Sequence, residues 1–516
     1  MKKQTVICGV LLCDGTGAAP FPADLFLADD RIVKIGSGSH AGFEAIHAEG
    51  LLACPGFVDV HAHSDLSLLA APDAFGKISQ GISTEISGNC GLSPFPVTER
   101  NREKLAHTWK NYGIELTWND FSGYADRLEK ASPAVNAALL CGHNSLRSAV
   151  LGYSDEPVTE TALTEMKNLL RNMIGQGALG LSTGLLYIPG KFAKTDELQE
   201  LMFVLKETDS IYATHLRNEG DTLLEALEEA ISLAQHGSGK LQVSHLKTAL
   251  QRNWHKIDAL FDLIDRAKTA GVRMTADRYP YTYGQTNLSV ILPPPYDKMP
   301  DLQITETLKN DDAAYAALER DLEKEDRWDG IILSSTENLA GLTVTQAAEK
   351  MGVTPARLVV ELVRQDSAGT LAAFGGMSGE NMTRIIARND VFCGTDETAR
   401  PWDFSIGRSH PRGFGAFPEF LKRNLENGLP LEQIIRRMTG DPAEKFGLKD
   451  RGVLREGAFA DLVLIDLKKL CARSSFADPH VPADGIEKVF VNGVLSYADG
   501  KVTARAGKVL RNVKWQ

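Results

Sequence analysis

The order of hydrophobic and polar positions divides the chain into two β-rich ends and a long alternating middle. Residues 5–52 carry short apolar runs separated by turn residues, and the same texture returns at 460–465 and 489–495. Short apolar runs bounded by Gly, Pro, Asp and Asn are typical of β-strands, and Asn492-Gly493 is a hairpin turn signal. We therefore expect the two ends of the chain to pair in one small β-sandwich.

In the middle of the chain, short apolar segments alternate with helical stretches such as 160–176 and 223–235. This alternation predicts βαβ units and a parallel sheet, so the fold class is α/β. Eight strands can be proposed, which is the number in a TIM (β/α)8 barrel, where the chemistry lies at the strand ends. The predicted strands end near His63, Cys90, His143, Thr183, His215, His245, Tyr279 and Asp396.

Two domains follow from these patterns. Residues 1–54 and 441–516 form the predicted β-sandwich domain, and residues 55–440 form the predicted catalytic barrel. The connection from about 287 to 374 is too long for a simple crossover and contains an acidic helical stretch at 311–328. Long connections above a barrel mouth are commonly lids or subdomains, so we predict a lid or an insertion there.

Composition removes several classes of function. The 516 residues carry a formal net charge of -11, which disfavours nucleic acid and anionic membranes as partners. No apolar run approaches the roughly 20 residues of a membrane span. The seven cysteines are odd in number and lack paired spacing, as expected for reduced thiols of a cytoplasmic protein. The oligomeric state is not set by these features.

Histidines and a carboxylate mark several of the predicted strand ends. His61 and His63 finish an apolar strand, and alternate side chains of a strand point to the same face. An isolated pair of this kind is more often structural. However, His215 and His245 also end short strands, and Asp396 ends another, although the chain has only 12 histidines. A metal site built from several strands explains that placement, whereas packing alone does not.

Cys90 lies at the predicted end of the second strand, in Ser87-Gly88-Asn89-Cys90-Gly91. A free cysteine is more often an inert packing residue. Cys90 lies at a predicted strand end, as the histidines do, and Gly88 and Gly91 on either side let the backbone approach closely. We therefore interpret Cys90 as a thiolate ligand.

The chain resembles the N-acyl-D-amino-acid deacylase, or D-aminoacylase, family of the amidohydrolase superfamily. The cysteine ligand separates this branch from hydantoinases and dihydroorotases, which typically use a carboxylated lysine. The segments that carry the resemblance span nearly the whole chain: 61–65, 88–91, 180–185, 214–220, 244–247, 279–281, 410–412 and 451–452.

The resemblance implies a metal arrangement. Cys90, His215 and His245 would hold a tight zinc ion. His61, His63 and Asp396 would line a second, weaker metal position. Asp396 would also be the catalytic acid and base, taking a proton from water and returning it to the leaving amine.

The resemblance also implies a substrate site. Lys247 and Arg412 would hold the carboxylate of a small-molecule N-acyl amino acid, and Tyr279 would steady the reacting carbonyl. A guanidinium and an ammonium suit that task, although a single basic residue is by default a solvated surface charge. Arg217 is a weaker candidate of the same kind. Relatives commonly place a serine where this chain has Gln285, which puts the side-chain or acyl preference in doubt.

The expected activity is zinc-dependent hydrolysis of the amide bond of N-acyl-D-amino acids. A cyclic-amide hydrolase such as a hydantoinase or dihydroorotase is the first alternative, because it would use the same metal-assisted hydrolysis to open a cyclic amide. A non-catalytic barrel scaffold is the second alternative, but such a protein should lack ligands. The preference for D over L substrates rests on the resemblance alone.

Overall fold

The computed structural model describes residues 4–110, 112–336 and 338–512. The strands within these ranges are β1 Gln4–Leu12, β2 Phe21–Ala28, β3 Arg31–Ile35, β4 Glu44–His47, β5 Leu52–Pro55, β6 Phe57–Asp59, β7 Ile82–Ser87, β8 Asn136–Leu139, β9 Cys141–Gly142, β10 Gly180–Gly184, β11 Ile211–His215, β12 Lys240–Val243, β13 Arg273–Arg278, β14 Gly284–Asn287, β15 Ile331–Leu333, β16 Leu371–Phe374, β17 Val391–Cys393, β18 Leu462–Ile465, β19 Ile486–Val491, β20 Val494–Ala498 and β21 Lys501–Val502.

The helices surround these strands. They are α1 Ser67–Ala70, α2 Phe75–Ile78, α3 Glu99–Lys110, α4 Phe121–Ala131, α5 His143–Leu151, α6 Glu160–Gln176, α7 Thr195–Thr208, α8 Leu223–His236, α9 Ile257–Thr269, α10 Asp301–Asn310, α11 Asp312–Leu322, α12 Val344–Met351, α13 Pro355–Asp366, α14 Gly379–Ile386, α15 Arg412–Glu426, α16 Leu431–Met438 and α17 Gly440–Phe446. Within the described ranges, none of these helices is both long and apolar enough to cross a membrane.

The local sequence explains the helix α6, which has the predicted bounds. The Thr159 side chain accepts a hydrogen bond from Ala162 N and so caps the first turn. Met166, Leu170 and Met173 are buried at helical spacing, so one face of α6 packs on the core. The helix ends at Gly177, which has a positive φ of 133°.

The two ends of the chain pair in one nine-stranded sheet. Its order is β21-β20-β19-β18-β5-β1-β2-β3, and β4 pairs with β1. Strand β18 lies antiparallel to β5, which joins the last part of the chain to the first. Buried apolar side chains of both ends share one cluster, which includes Ile7, Leu25 and Leu464. The predicted pairing of the ends is therefore confirmed, whereas the arrangement as a two-layer sandwich stays a prediction.

The middle of the chain is built from parallel strands with helices between them. Strands β6, β7 and β8 pair in parallel, and so do β9, β10, β11, β12, β13 and β17. Only Leu140 separates β8 from β9, so the nine strands amount to eight chain segments. Leu140 N donates to the carbonyl of Ser87 at 2.9 Å, which continues the ladder between the two sheets.

Backbone hydrogen bonds also join the first and last of these eight segments. Asp396 N donates to the carbonyl of His61 at 2.7 Å, and His63 N donates to the carbonyl of Glu397 at 3.1 Å. The carboxyl end of β6 therefore lies beside the carboxyl end of β17. The polar residues that follow the two strands are brought within contact distance, although more than 300 positions separate them.

The long connection contains structure of its own. Strands β14, β16 and β15 form an antiparallel sheet, and α10 to α13 pack around a hydrophobic cluster drawn from residues 288–372. Lys191 Nζ donates to the carbonyl of Asp297 at 2.8 Å, and Trp254 Nε1 donates to the carbonyl of Gly376 at 3.0 Å. We call residues 284–374 the inserted segment. The first of these contacts ties the inserted segment to the loop after β10, and the second ties the chain just after the segment to the loop after β12.

Candidate metal centre

Four of the predicted ligands meet at the carboxyl ends of the parallel strands. His61, Cys90, His245 and Asp396 are buried, and each offers one ligand atom within 4.8 Å of the other three. Cys90 Sγ lies 3.3 Å from His61 Nε2 and 3.7 Å from His245 Nε2. Asp396 Oδ1 lies 3.3 Å from His61 Nε2. A thiolate, imidazoles and a carboxylate at these separations form a donor set that suits zinc.

The remaining two predicted ligands border this cluster. His63 Nε2 lies 3.1 Å from Asp396 Oδ1. The ring of His215 lies 4.4 Å from the ring of His245, and neither ring nitrogen of this buried histidine has a hydrogen-bond partner among the described residues. Burial of an unpartnered imidazole costs free energy, so His215 fits the role of a ligand to an ion. The residues present therefore fit a divalent metal.

Two carboxylates, the buried Asp277 and the partly buried Glu219, orient the imidazoles, and sequence reasoning missed both roles. Asp277 Oδ1 lies 2.9 Å from His61 Nδ1, and Glu219 Oε1 lies 2.9 Å from His245 Nδ1. In His61, Nδ1–H can then donate to the carboxylate, which leaves Nε2 free to face the cluster. Nδ1 of His245 also lies 2.7 Å from Lys247 Nζ, so both Glu219 and Lys247 hold this ring in place. The available signal was the placement of Glu219 four residues after His215 and of Asp277 at the end of β13.

The backbone at three of the ligands is strained. Cys90, His245 and Asp396 have φ values of 51°, 35° and 50°, in the left-handed region that residues with a Cβ rarely adopt. Such strain persists only where the surrounding structure holds it, and it is concentrated at functional sites. A Cβ at Gly184 would lie 1.9 Å from the Cys90 carbonyl oxygen, so the Cys90 loop packs directly against β10.

The electrostatics of the cluster favour the charged form of its acidic groups. Burial raises the pKa of the Cys90 thiol, but the charge of His61 and hydrogen bonds from the imidazoles outweigh it and hold the pKa well below its ordinary value. Burial likewise opposes ionisation of Asp396, yet Arg412 and His61 hold its pKa well below the usual range. A thiolate and a carboxylate are the forms that bind a cation.

A cationic patch lies next to the cluster, as predicted. Arg412 Nη1 lies 2.7 Å from Asp396 Oδ2, but the pair is not aligned as a hydrogen bond, and Arg412 Nε and Nη1 have no hydrogen-bond partner among the described residues. Lys247 Nζ donates to Glu219 Oε1 at 2.5 Å. The Arg412 guanidinium lies 4.5 Å from the centre of the Tyr279 ring. These buried groups are arranged so that a carboxylate could bind beside Asp396.

The inserted segment comes near the same place at β14, which carries Gln285. Gln285 Oε1 is buried without a hydrogen-bond partner among the described residues. Its neighbour Thr286 hydrogen-bonds Tyr187, whose ring lies 5.0 Å from that of His215. Tyr187 was not foreseen from the sequence, because nothing in its local pattern marks it. Gln285 is the neighbour of Thr286 in β14, and its contact with substrate stays a prediction.

Arg217 has a different environment. Its Nε and Nη2 donate to Glu229 of α8 at 2.9 Å and 3.0 Å. The guanidinium is already paired with a carboxylate of this helix, and its contact with substrate stays a prediction. The position of Arg217 two residues after His215 suggested a place in the substrate pocket. In the structure, Glu229 of α8 supplies the carboxylate that Arg217 contacts.

Comparison with known proteins identifies the family. The amidohydrolase family model matches residues 44–309 and 383–497. The chain is also 32% identical to the N-acyl-D-glutamate deacylase of Alcaligenes xylosoxydans xylosoxydans, over 99% of this chain and 97% of the relative. The chain belongs to the amidohydrolase family. The D-aminoacylase of Alcaligenes xylosoxydans xylosoxydans is equally similar, at 32% identity over 98% of this chain and 97% of the relative.

Solved structures place this amidohydrolase in the N-acyl-D-amino-acid deacylase branch. The N-acyl-D-glutamate deacylase of Bordetella bronchiseptica, complexed with zinc and a phosphonate mimic of the tetrahedral intermediate, matches with a TM-score of 0.83 and 30% identity over 99% of this chain and 100% of that chain. A D-aminoacylase with a binuclear metal centre matches with a TM-score of 0.82 and 30% identity, over 98% of this chain and 99% of that one.

A more distant likeness concerns the fold alone. The L-hydantoinase of Arthrobacter aurescens matches with a TM-score of 0.57 at 15% identity, over 99% of this chain and 100% of that chain. The family model leaves residues 310–382 unmatched, and most of the inserted segment falls in that gap. The residues that meet at the metal centre all lie in the matched parts of the amidohydrolase.

Proposed function

We propose that this amidohydrolase uses zinc to hydrolyse the amide bond of N-acyl-D-amino acids, releasing a carboxylate and a free D-amino acid. The observation that carries the proposal is the position of the Cys90 thiolate between two imidazoles, within reach of Asp396 and beside a patch of buried cations. The thiolate distinguishes the site from one built on a carboxylated lysine. The similarity to deacylases over nearly the whole chain supports the same reaction.

The proposal includes a closed barrel. Eight parallel chain segments alternate with helices, and the hydrogen bonds between 61–63 and 396–397 join the first segment to the last. Closure of this ladder gives a TIM barrel, in which the residues after each strand converge at one mouth. The catalytic domain of 55–440, the sandwich domain of 1–54 and 441–516, and a lid role for the inserted segment belong to the same proposal. Residues 1–3 and 513–516 lie outside the described residues.

The residues of the site divide the chemical work. Cys90, His215 and His245 would hold zinc in the tight position, where the ion would supply Lewis acidity for the amide carbonyl and for water. His61, His63 and Asp396 border a second, weaker position. A bound substrate would be oriented by its carboxylate, which pairs with the free N–H groups of Arg412 and with Lys247.

Proton transfer is assigned to Asp396. Its ionised carboxylate accepts a proton from the attacking water, and it returns that proton to the nitrogen of the leaving amine as the C–N bond breaks. The Tyr279 hydroxyl donates a hydrogen bond to the carbonyl oxygen, where negative charge develops. Because Asp396 is buried, few water molecules compete for the transferred proton.

The proposal is tested with substrates that distinguish hydrolysis of linear amides from hydrolysis of cyclic amides. The purified protein, loaded with zinc, is incubated with acetyl derivatives of D-amino acids, with the same derivatives of L-amino acids, and with hydantoin and dihydroorotate. Release of free D-amino acid, measured by chiral chromatography, is the expected result. Turnover of the cyclic amides without release from the linear substrates would overturn it.

The free thiols of all seven cysteines support a cytoplasmic location within this proposal.

A further inference from the structure

Arg278 is a buried cation whose environment contains no obvious counter-ion. It ends β13 and its side chain is 1% exposed. Its hydrogen-bond partners among the described residues are the carbonyl oxygen of Tyr281 and the Sδ of Met377, both neutral, while Nε and Nη1 have none. Burial of a guanidinium without a carboxylate is costly, so the contacts that it does make need a physical account.

The first of these contacts is with Tyr279. The Arg278 guanidinium carbon lies 4.2 Å from the centre of the Tyr279 ring. A cation over a ring face is attracted by the ring quadrupole, and the attraction is stronger where water is excluded. Tyr279 is itself buried, at 1% exposure, so the stack restricts a ring that has little room to move.

The second contact joins the two ends of the inserted segment. Arg278 Nη2 lies 2.6 Å from the Tyr281 carbonyl oxygen, just before β14, and 3.1 Å from Met377 Sδ, just after β16. One nitrogen therefore bridges the chain that enters the inserted segment and the chain that leaves it. The bridge fixes the start of β14 relative to the end of β13.

The start of β14 in turn confines the Tyr279 hydroxyl. A Cβ at Gly284 would lie 3.2 Å from Tyr279 Oη, so the backbone of the first residue of β14 lies against that hydroxyl. Arg278 thus acts on Tyr279 at both ends of the side chain. It stacks on the ring directly, and it holds the backbone that touches the hydroxyl.

We propose that Arg278 is a positioning residue, which holds the Tyr279 hydroxyl in place by stacking on its ring and by bridging the two ends of the inserted segment. The inference rests on the proposed function, in which Tyr279 donates to the reacting carbonyl. A hydroxyl displaced by about 1 Å would lose much of its stabilisation of the transition state. Arg278 is not assigned a contact with substrate.

The test begins with Arg278→Met, which keeps an unbranched apolar stem and removes the charge and the bridge. In zinc-loaded protein acting on N-acetyl-D-methionine, we expect kcat to fall about 10- to 100-fold, in keeping with the cost of misplacing a catalytic group, while KM changes little and zinc content stays the same. Arg364→Met is the matched control, because Arg364 stacks 5.2 Å from Tyr315 within the inserted segment. The control should keep the kcat of the unmodified protein.

A double-mutant cycle separates positioning from a general structural role. If Arg278 acts through Tyr279, then Arg278→Met should have little further effect in a Tyr279→Phe background. Losses that multiply in full would overturn the proposal. If the methionine variant fails to fold, as judged by circular dichroism, Arg278→Lys takes its place in the same cycle, because lysine cannot form both the stack and the bridge.

Substrate choice supplies a second way to refute the inference. A positioning residue lowers the turnover of N-acetyl-D-methionine and N-acetyl-D-glutamate by the same factor. A loss confined to the acidic substrate would make Arg278 a group that binds the substrate side chain, and the proposal would be wrong. If the unmodified protein releases no D-amino acid from either compound, the proposed function itself fails, and this outcome is recognised before any variant is made.

Discussion

Replacement of Asp396 by asparagine removes one negative charge from the centre of the site while it nearly preserves the shape of the side chain. The carboxylate lies 3.1 Å from His63 Nε2, 3.3 Å from His61 Nε2 and 2.7 Å from Arg412 Nη1. An amide at this position can still accept hydrogen bonds, but it cannot take a proton from water. The substitution therefore tests proton transfer more directly than a truncation to alanine.

The expected loss follows from the role of the group. A positioned general acid or base typically contributes 10²- to 10⁴-fold to the rate, which is about 3 to 5 kcal/mol at roughly 1.4 kcal/mol per factor of ten. Because the proposed tight zinc site consists of Cys90, His215 and His245, we expect Asp396→Asn to retain about one zinc ion per chain. The loss should appear in kcat, since the carboxylate acts on water and on the leaving amine.

Stability has to be followed in the same experiment. Arg412 is 3% exposed, and removal of its charged partner leaves a buried guanidinium without a counter-ion. Breaking a buried ion pair can cost about 3 to 5 kcal/mol, although the amide oxygen of asparagine replaces part of the interaction. The thermal midpoint should fall, yet the variant should remain folded at 25 °C.

The assay measures kcat and KM for release of free amino acid, together with zinc content and thermal unfolding. Asp390→Asn is the matched control, because Asp390 is a buried carboxylate that is paired with Arg388 and Lys268 and precedes β17, whereas Asp396 follows it. The control should lose some stability and keep its kcat. A kcat for Asp396→Asn within threefold of the unmodified protein would refute the assignment. Loss of zinc in parallel with activity would make Asp396 a ligand of the tightly bound zinc, and the loss of activity would then no longer report proton transfer.

Three further predictions concern the metal and the acid stability of the fold. Cys90→Ser should lower zinc content and activity together by at least tenfold, whereas Cys393→Ser, at a buried thiol outside the cluster, should do neither; metal analysis after gel filtration checks both. Removal of zinc with a chelator should abolish turnover and lower the thermal midpoint, and zinc added back should restore both; an unchanged midpoint would contradict a metal bound by the native state. Burial, and then the charge of Arg400, lowers the pKa of His480 to about 4. As pH falls from about 6.5 to about 4, the unfolded chain binds a proton at this histidine and the native state does not, so the free energy of unfolding should fall by up to about 1.4 kcal/mol per pH unit. Urea unfolding at several pH values should show that the free energy of unfolding depends less steeply on pH in His480→Gln than in the unmodified protein. Equal slopes of this free energy against pH in the two proteins would contradict the prediction.

The sequence by itself determined the features that depend on local pattern. The helix at 160–176 follows from apolar residues at helical spacing between a threonine cap and a glycine, and it was predicted with its observed bounds. His61, His215 and His245 could be placed at one edge because strands that run parallel end on the same side. The donor types of these residues by themselves indicate a metal.

Tertiary structure alone decided which side chains meet across long separations. His61 and Asp277 are 216 positions apart, and neither local pattern points to the other. The same holds for the bridge from Arg278 to Met377, which are 99 positions apart. Periodicity in the sequence specifies which face of a helix or strand is buried. The partner of a buried charge depends instead on how the elements pack against one another. Because a buried charge without a partner is costly, the packing that supplies a partner determines where such a charge can lie.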